Sequence, residues 1–402
     1  MKTPQSLVNM LTPNSFLPPA SGPYEVGYVD IMTEGKPENS SFLRLYYPTQ
    51  QNHKFLPERC PIWTEHDTKH GFINFLQAMI KRWPSWVNDS EFNMLGVVRS
   101  IDSLVSWAFS PAFSLGWGVL AKNPRIPVIH QAQASSPQSG KWPVVVFSHG
   151  MGCNRYAYSK ICYDLCSEGV IVASVEHRDG SACHSRYRLD GETKEIPHLL
   201  LKPSEDEYTI RNKQVKQRAT EVSRALDILV KLNEGLSPDN IIEQEAGYSF
   251  EHFKGQLAVE EPYVMGHSFG GATTILAAGQ DSRFKGAVAI DPWMFPVGEQ
   301  EFIVRIPVLM LNTEHFLHKS NVEKVREVCT DLNARVLDGA VHLVHTDAPL
   351  LFENDLLKSG LGMKCSRNTE EVLAENHSII WDWISRSLQG MHIEKRSDWG
   401  LI

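Results

Sequence analysis

The chain has 402 residues, of which 42% are hydrophobic and 21% are charged, and its formal net charge is −8. This composition is typical of a folded globular protein and excludes a disordered or fibrous chain. Lys and Arg form no concentrated basic stripe, which argues against nucleic acid as a partner. No run of about eighteen apolar residues occurs, so we expect no segment that spans a bilayer.

The cysteines indicate reduced thiols. They are seven in number and follow neither a C-x-x-C pattern nor a regular spacing. Cys162 and Cys166 lie four residues apart and, with Cys183 and His184, offer a zinc site as an alternative. Buried thiols are the commoner use of such residues, so we predict neither a metal nor a cofactor.

The first residues suggest a location. They lack the uninterrupted apolar stretch of a signal peptide, and position 2 is a lysine, which excludes N-myristoylation of this sequence. We expect a cytoplasmic protein, with attachment to the periphery of membranes or secretion as the alternatives. The sequence gives no indication of the oligomeric state.

The predicted elements begin after residues 1–24, whose Pro, Ser and Asn content predicts a loose N-terminal extension. Residues 25–402 are predicted to form a single domain, since this length suits one large core. Residues 26–33 and 42–48 alternate polar and apolar side chains, as half-buried antiparallel strands do.

Two helical insertions are predicted, around residues 71–121 and 207–234. The first is rich in Trp, Phe, Leu and Ile, and these side chains either pack on the core or present Trp83 and Trp86 to a lipid surface. The second carries apolar residues at helical spacing on a charged background, which predicts a long amphipathic helix.

Nearly continuous apolar runs predict the buried strands of a parallel sheet, because such strands are covered on both faces. A helix over residues 156–167 is expected to connect the first two runs. The alternation predicts an α/β-hydrolase fold, with a doubly wound, mostly parallel sheet and helical insertions. The runs are residues 142–150, 170–177, 262–267, 286–290 and 307–311.

The segment Val264–Gly271 is the most informative motif. It places Ser268 between Gly266 and Gly270, where a short apolar strand gives way to an Ala-rich helix. This G-x-S-x-G pattern in a strand–turn–helix context is typical of a nucleophile elbow, in which a strained turn exposes the serine hydroxyl. We therefore predict Ser268 as the nucleophile.

A serine nucleophile needs an imidazole to accept its proton and a carboxylate to orient that imidazole. Asp291 directly follows the apolar run 286–290, at a strand end where sites of open α/β sheets assemble, and is the preferred acid. His342 is the preferred base because it follows a strand-like segment and comes first after the turn. The alternatives are Asp338 and Asp347 for the acid and His345 for the base.

Two backbone N–H groups are expected to bind the oxyanion that forms during acyl transfer. One belongs to Phe269, which follows the nucleophile. The loop Ser148–Gly152 follows an earlier strand, and its glycines allow the backbone to turn the N–H of Met151 inward. Met151 and Phe269 are therefore the predicted oxyanion-hole residues.

Taken together, these motifs resemble the platelet-activating-factor acetylhydrolases of the plasma and intracellular type II kind, over residues from about 22 to 388. The resemblance implies a calcium-independent phospholipase A2 that removes acetyl or other short, often oxidised, acyl groups from the sn-2 position of phospholipids. It also implies the same five site residues. The motifs are Phe147–Gly152, Val175–Ala182, Arg211–Arg218, Gly266–Gly271, Asp291–Pro296, Leu311–Glu314 and Val341–His342.

Two other functions compete with this prediction. A carboxylesterase of soluble short-chain esters would use the same triad without preferring a lipid surface. A non-enzymatic lipid-binding protein on a hydrolase fold would be expected to lack a triad member, whereas this sequence offers all of them.

Overall fold

A computed structural model describes residues 16–49, 59–63, 71, 124–202 and 204–391 of the chain. Its strands form one sheet of nine strands and a separate hairpin of two. The strands are β1 Glu25–Met32, β2 Phe42–Thr49, β3 Ile129–His130, β4 Val144–Ser148, β5 Ile171–Val175, β6 His184–Leu189, β7 Glu192–Pro197, β8 Tyr263–His267, β9 Gly286–Ile290, β10 Val304–Thr313 and β11 Cys329–Leu337. The described α-helices with complete bounds are α1 Ser159–Ser167, α2 Glu207–Glu234, α3 Phe269–Gln280, α4 Lys319–Val328, α5 Asp355–Gly360 and α6 Thr369–Leu388.

The large sheet has the strand order β11-β10-β9-β8-β4-β5-β2-β1-β3. Strands β11 through β5 in this order are all parallel. The predicted antiparallel pair, β1 and β2, extends the sheet beyond β5. From β4 the chain goes to β5 on one side and later to β8 on the other, and ligands of such sheets bind where the winding reverses. The predicted doubly wound, mostly parallel α/β-hydrolase fold is confirmed.

Helices cover both faces of the sheet. Along β4, Val144 and Val146 join a buried cluster that includes the apolar side chains of α2 and α3. Val145 and Phe147 alternate with them and join a second cluster with α1 and α6. This alternation follows from the two-residue period of a strand and explains why β4 is apolar throughout.

Helix α2 agrees with the long helix predicted around residues 207–234. The Asp206 side chain accepts a hydrogen bond from the N–H of Thr209 at its start, and Gly235 ends it with a left-handed φ of 83°. The helix is not simply amphipathic, because it also buries polar side chains. Two of them, Arg218 and Glu221, lie beneath the site described below.

The hairpin of β6 and β7 was not anticipated from the sequence. Its strands pair in antiparallel register, and residues Asp190 and Gly191 between them both have positive φ, of 53° and 78°. An Asp-Gly pair with this geometry is the usual two-residue turn of a hairpin.

The two predicted peripheral segments are described only in part. Of the predicted N-terminal extension, residues 16–24 lie against the domain: Leu17 is buried, and the N–H of Tyr24 donates to the carbonyl of Ser167 over 3.0 Å. The insertion predicted for residues 71–121 lies outside the described residues, apart from residue 71. Among the described helices, none combines the length and apolar character needed to cross a membrane.

Candidate active site

Ser268 lies in the turn between β8 and α3, with φ 59° and ψ −118°. Such a conformation costs a non-glycine residue about 1–3 kcal/mol and is held only by its surroundings. A Cβ at Gly266 would collide with the backbone of Gly270, and one at Gly270 would collide with that of Ser148. Both positions therefore require glycine, and the turn has the geometry predicted for a nucleophile elbow.

The three predicted triad residues come together. His342 Nε2 lies 3.0 Å from Ser268 Oγ, and His342 Nδ1 lies 3.0 Å from Asp291 Oδ2. Asp291 is fully buried, His342 is 7% exposed and Ser268 is partly exposed. Of these three side chains, the Ser268 hydroxyl is therefore the one that a substrate can reach.

Asp291 is held as a carboxylate. Its Oδ1 accepts the Thr313 N–H over 2.7 Å, and its Oδ2 accepts the Thr313 hydroxyl over 2.7 Å in addition to the His342 N–H. Burial by itself raises the pKa of Asp291, but the hydrogen bond from His342 and the nearby His345 ring hold that pKa well below its ordinary value. Thr313 belongs to the Leu311–Glu314 motif, yet sequence reasoning gave it no role.

His342 is suited to accept a proton. Burial lowers the pKa of His342 below its ordinary value, although Asp291 acts in the opposite direction, and this lowering favours the neutral ring. Donation from Nδ1 to Asp291 leaves Nε2 as an acceptor for the Ser268 hydroxyl. The Phe316 ring stacks on the imidazole with centroids 3.8 Å apart and restricts its rotation.

Neither of the alternative acids, Asp338 and Asp347, lies within hydrogen-bond distance of His342. Asp347 accepts hydrogen bonds from Trp63 Nε1 over 2.8 Å and from the N–H groups of Ser159 and Lys160 over 2.9 Å each, so it holds the start of α1. Burial raises the pKa of Asp347 to about 7. The side chain of Asp338 is exposed.

The alternative base, His345, is buried beside the acid rather than the nucleophile. Its Nε2 lies 3.5 Å from Asp291 Oδ2, and neither of its ring nitrogens makes a hydrogen bond. The geometry therefore favours His342 over His345 as the proton acceptor.

The loop that carries Met151 lies beside the nucleophile elbow, and Phe269 directly follows Ser268. A Cβ on Gly150 would lie 3.4 Å from Ser268 Cβ, which places the loop after β4 directly beside the elbow. The N–H of Gly152 donates to the carbonyl of Ser181 over 2.8 Å. Phe269 is the first residue of α3, where an N–H has no acceptor within the helix.

A second serine–histidine–carboxylate chain, not anticipated from the sequence, lies beneath this loop. Ser148 Oγ lies 2.7 Å from His177 Nε2, and His177 Nδ1 lies 2.7 Å from Glu221 Oε2. Ser148 and His177 are fully buried, and Glu221 is 3% exposed. No substrate reaches a fully buried hydroxyl. We therefore interpret these hydrogen-bonded residues as structural support for the loop after β4.

One group of described residues has atoms spaced as metal ligands are: His267, Asp291 and His342, within 4.8 Å of one another. Asp291 and His342 are already hydrogen-bonded to each other, and His267 Nδ1 lies 2.7 Å from the Tyr158 hydroxyl. A cation here would displace the hydrogen bonds of the triad. The residues of the alternative zinc site, Cys162, Cys166, Cys183 and His184, form no such group within the described part of the chain.

Fold and site together define an ester hydrolase of the α/β-hydrolase class. The fold is shared with a solved structure, a ferulic acid esterase from Streptomyces cinnamoneus, at a TM-score of 0.63 over 96% of this chain and 97% of that one. The two sequences are 16% identical, so this likeness shows the fold alone.

The chain belongs to the family of platelet-activating factor acetylhydrolase, isoform II, whose sequence model matches residues 10–87 and 80–389. It is 32% identical over 338 residues to the platelet-activating factor acetylhydrolase of Bos taurus, covering 82% of this chain and 67% of that protein. The Gallus gallus protein of the same name is 31% identical over 344 residues, covering 81% of this chain and 73% of that protein. The family resemblance predicted from the motifs is confirmed.

Proposed function

We propose that this protein hydrolyses the sn-2 acetyl, or other short or oxidised acyl, ester of phospholipids through an acyl-enzyme on Ser268. The observation that carries the proposal is the continuous hydrogen-bonded chain from Ser268 through His342 to Asp291, with 3.0 Å at each of the two contacts. The substrate class is supported by membership of a family whose members are named platelet-activating factor acetylhydrolase.

In the acylation step, the Ser268 oxygen attacks the carbonyl carbon of the sn-2 ester while His342 Nε2 takes the hydroxyl proton. The negative charge that develops on the carbonyl oxygen is received by the N–H groups of Met151 and Phe269. When the tetrahedral intermediate collapses, the bond to the glycerol oxygen breaks. His342 gives its proton to that oxygen, and a lysophospholipid leaves.

In the deacylation step, water replaces the lysophospholipid. His342 takes a proton from the water as its oxygen attacks the acyl carbon, and then returns a proton to the Ser268 oxygen as the free acid leaves. Asp291 keeps its charge throughout and stabilises the imidazolium. This route assigns no step to a metal or other cofactor.

The substrate class is tested with phospholipids that differ only in sn-2 chain length, offered with and without a chelator. We expect turnover to be highest for acetyl and to fall as the chain lengthens, with no effect of chelation. A soluble short-chain ester serves as the comparison. If soluble esters are hydrolysed well and no phospholipid is, the protein is a carboxylesterase and the proposed substrate class is wrong.

Contact with a lipid surface and location in the cytosol stay proposals. The predicted lipid contact of Trp83 and Trp86 falls on residues outside the described part of the chain. Co-sedimentation with phosphatidylcholine vesicles, before and after both tryptophans are changed to Ser, tests this lipid contact, and unchanged partitioning would contradict it.

The proposal of a cytosolic location is supported by free, buried thiols such as Cys162 and Cys166, since secreted proteins more often pair their cysteines.

Changing the acid should slow the reaction strongly without preventing folding. We expect Asp291→Asn to lower kcat by about 10⁴, because the amide favours the wrong tautomer of His342. The exposed Asp338 is the matched control, and Asp338→Asn should leave kcat within about twofold. Equal losses in the two variants, measured by ester hydrolysis, would contradict the assignment of the acid.

The pH dependence of kcat/KM should show an acidic limb set by His342. The base works only when neutral, so activity is present above the pKa of His342 and is lost as the pH falls through it. Because burial lowers this pKa, the midpoint should lie below about 6.5. Asp347→Asn is the control, since it removes a buried carboxyl, five residues from His342 in sequence, whose pKa burial raises to about 7. A midpoint above 7 that persists in Asp347→Asn would contradict this account.

A further inference from the structure

We propose that Arg218 is a positioning residue of the oxyanion hole, which holds the backbone segments of both N–H donors in place. The inference rests on the proposed function, because it concerns the same acyl-transfer site. Arg218 projects from α2 and is fully buried, and it is the largest of the fully buried side chains in the described part of the chain. Its guanidinium contacts both the loop after β4, which carries Met151, and the ring of Phe269.

On the Met151 side, Arg218 holds both flanks of the donor. One terminal nitrogen donates to the carbonyl of His149 over 2.7 Å. Nε and the other terminal nitrogen donate to Ser181 Oγ over 2.9 and 2.6 Å, and the carbonyl of Ser181 accepts the N–H of Gly152 over 2.8 Å. His149 is therefore bound directly to the Arg218 guanidinium, and Gly152 is bound to it through Ser181. These two residues flank Met151 in the loop.

On the Phe269 side, the contact is through the ring. The guanidinium carbon of Arg218 lies 4.3 Å from the centroid of the Phe269 ring, within the range of a cation–π interaction. Phe269 supplies the other donor at the start of α3. A planar guanidinium fixes the angle between its contacts as well as their distances, which a flexible lysine does not.

The orientation of the Met151 N–H follows from its peptide plane. The carbonyl of Gly150, which shares that plane, lies 2.7 Å from His149 Nδ1 and accepts the N–H of Cys153 over 3.3 Å. Because C=O and N–H of a trans peptide point in opposite directions, these bonds turn the Met151 N–H to the other side. His149 in turn is held by Arg218 at its own carbonyl.

The buried charge of Arg218 argues for a geometric rather than a stabilising role. Its partner is Asp179, whose Oδ2 lies 3.1 Å from Nε, and the two side chains are 0% and 1% exposed. Replacing such a buried pair with well-packed apolar residues is often neutral or stabilising. What an apolar residue would not provide is the set of directed hydrogen bonds to His149 and Ser181.

The experiment compares Arg218→Met and Arg218→Lys with Arg211→Met on an ester that the wild-type enzyme hydrolyses. Arg211 is the matched control: it is 4% exposed on the same helix, and bonds to Gln214 Oε1 over 2.8 Å and Glu207 Oε1 over 3.3 Å. Both of these partners belong to α2 itself, and neither lies in the loop after β4 or in the elbow. The readouts are kcat, KM, melting temperature and affinity for a trifluoromethyl ketone, whose adduct with a serine carries an oxyanion.

We expect Arg218→Met to lower kcat about ten- to a hundredfold with KM within about twofold, since displaced donors lose stabilisation only in the transition state. Affinity for the trifluoromethyl ketone should fall by a similar factor. Arg218→Lys should recover part of both losses, and Arg211→Met should keep kcat within about threefold.

Two results would overturn the inference: unchanged kcat and ketone affinity in folded Arg218→Met, or equal losses in Arg211→Met. If Arg218→Met does not fold, Ser181→Ala decides instead. It removes the hydroxyl that Arg218 contacts on the Met151 side, and loss of ketone affinity supports the inference whereas wild-type affinity overturns it. A wild-type enzyme that hydrolyses simple esters but no phospholipid would refute the proposed substrate class and leave this inference standing.

Discussion

Ser268→Ala is expected to lower kcat for ester hydrolysis by about 10⁶, because loss of a serine nucleophile removes the acyl-enzyme route. Residual turnover would come from the oxyanion donors and substrate binding alone, about 10³–10⁴ above the uncatalysed rate. The change deletes one oxygen at a partly exposed position, so the melting temperature should stay close to that of the wild type. Single-turnover kinetics with enzyme in excess give the most sensitive measurement.

Ser148→Ala is the matched control for this prediction. Ser148 also contacts a histidine that contacts a carboxylate, but it is fully buried. Its loss should reduce kcat by no more than about tenfold, through the loop it supports. Loss of kcat by several orders of magnitude in Ser148→Ala, with activity retained in Ser268→Ala, would reverse the assignment of the nucleophile.

His342→Gln is expected to cost nearly as much, about 10⁶ in kcat, since serine and histidine act as one unit. The variant combining Ser268→Ala and His342→Gln should then be no slower than Ser268→Ala alone. This non-additivity, measured in a double-mutant cycle on one ester, distinguishes a shared step from two independent contributions.

His345→Gln is the control for the base. His345 makes no ring hydrogen bond and lies 3.5 Å from Asp291 rather than beside Ser268, so its replacement should change kcat by less than about tenfold. A larger loss in His345→Gln than in His342→Gln would show that the proton acceptor has been assigned to the wrong histidine.

The sheet was predictable wherever burial left a local signature in the sequence. Strand β9 was predicted at its observed bounds, Gly286–Ile290, because a strand covered on both faces is apolar at every position. The hairpin β6–β7 was missed, since its residues are mostly polar and partly exposed and carry little periodicity. The contacts of residues 16–24 with the domain were also missed, because this short, Pro-rich segment has neither helical nor strand periodicity.

The sequence indicated which residues of the candidate site converge, but not the residues that support them. Ser268, Asp291 and His342 each follow a recognisable strand, and the fold class fixes the edge at which strand ends meet. Thr313 and Arg218 act through contacts with residues distant in sequence: Arg218 meets the carbonyl of His149 across 69 positions. A buried arginine on a charged helix has the same local pattern as an exposed one, so only the three-dimensional structure distinguishes them.

The assignment of Ser268 as the nucleophile is tested most directly by locating the covalent modification of a fluorophosphonate with peptide mass spectrometry. We expect one phosphonyl group, attached to Ser268, with inactivation proportional to labelling and protection by an sn-2 acetyl phospholipid. An enzyme that keeps full activity when Ser268 is completely modified, or inactivation by a label on another residue, would contradict it.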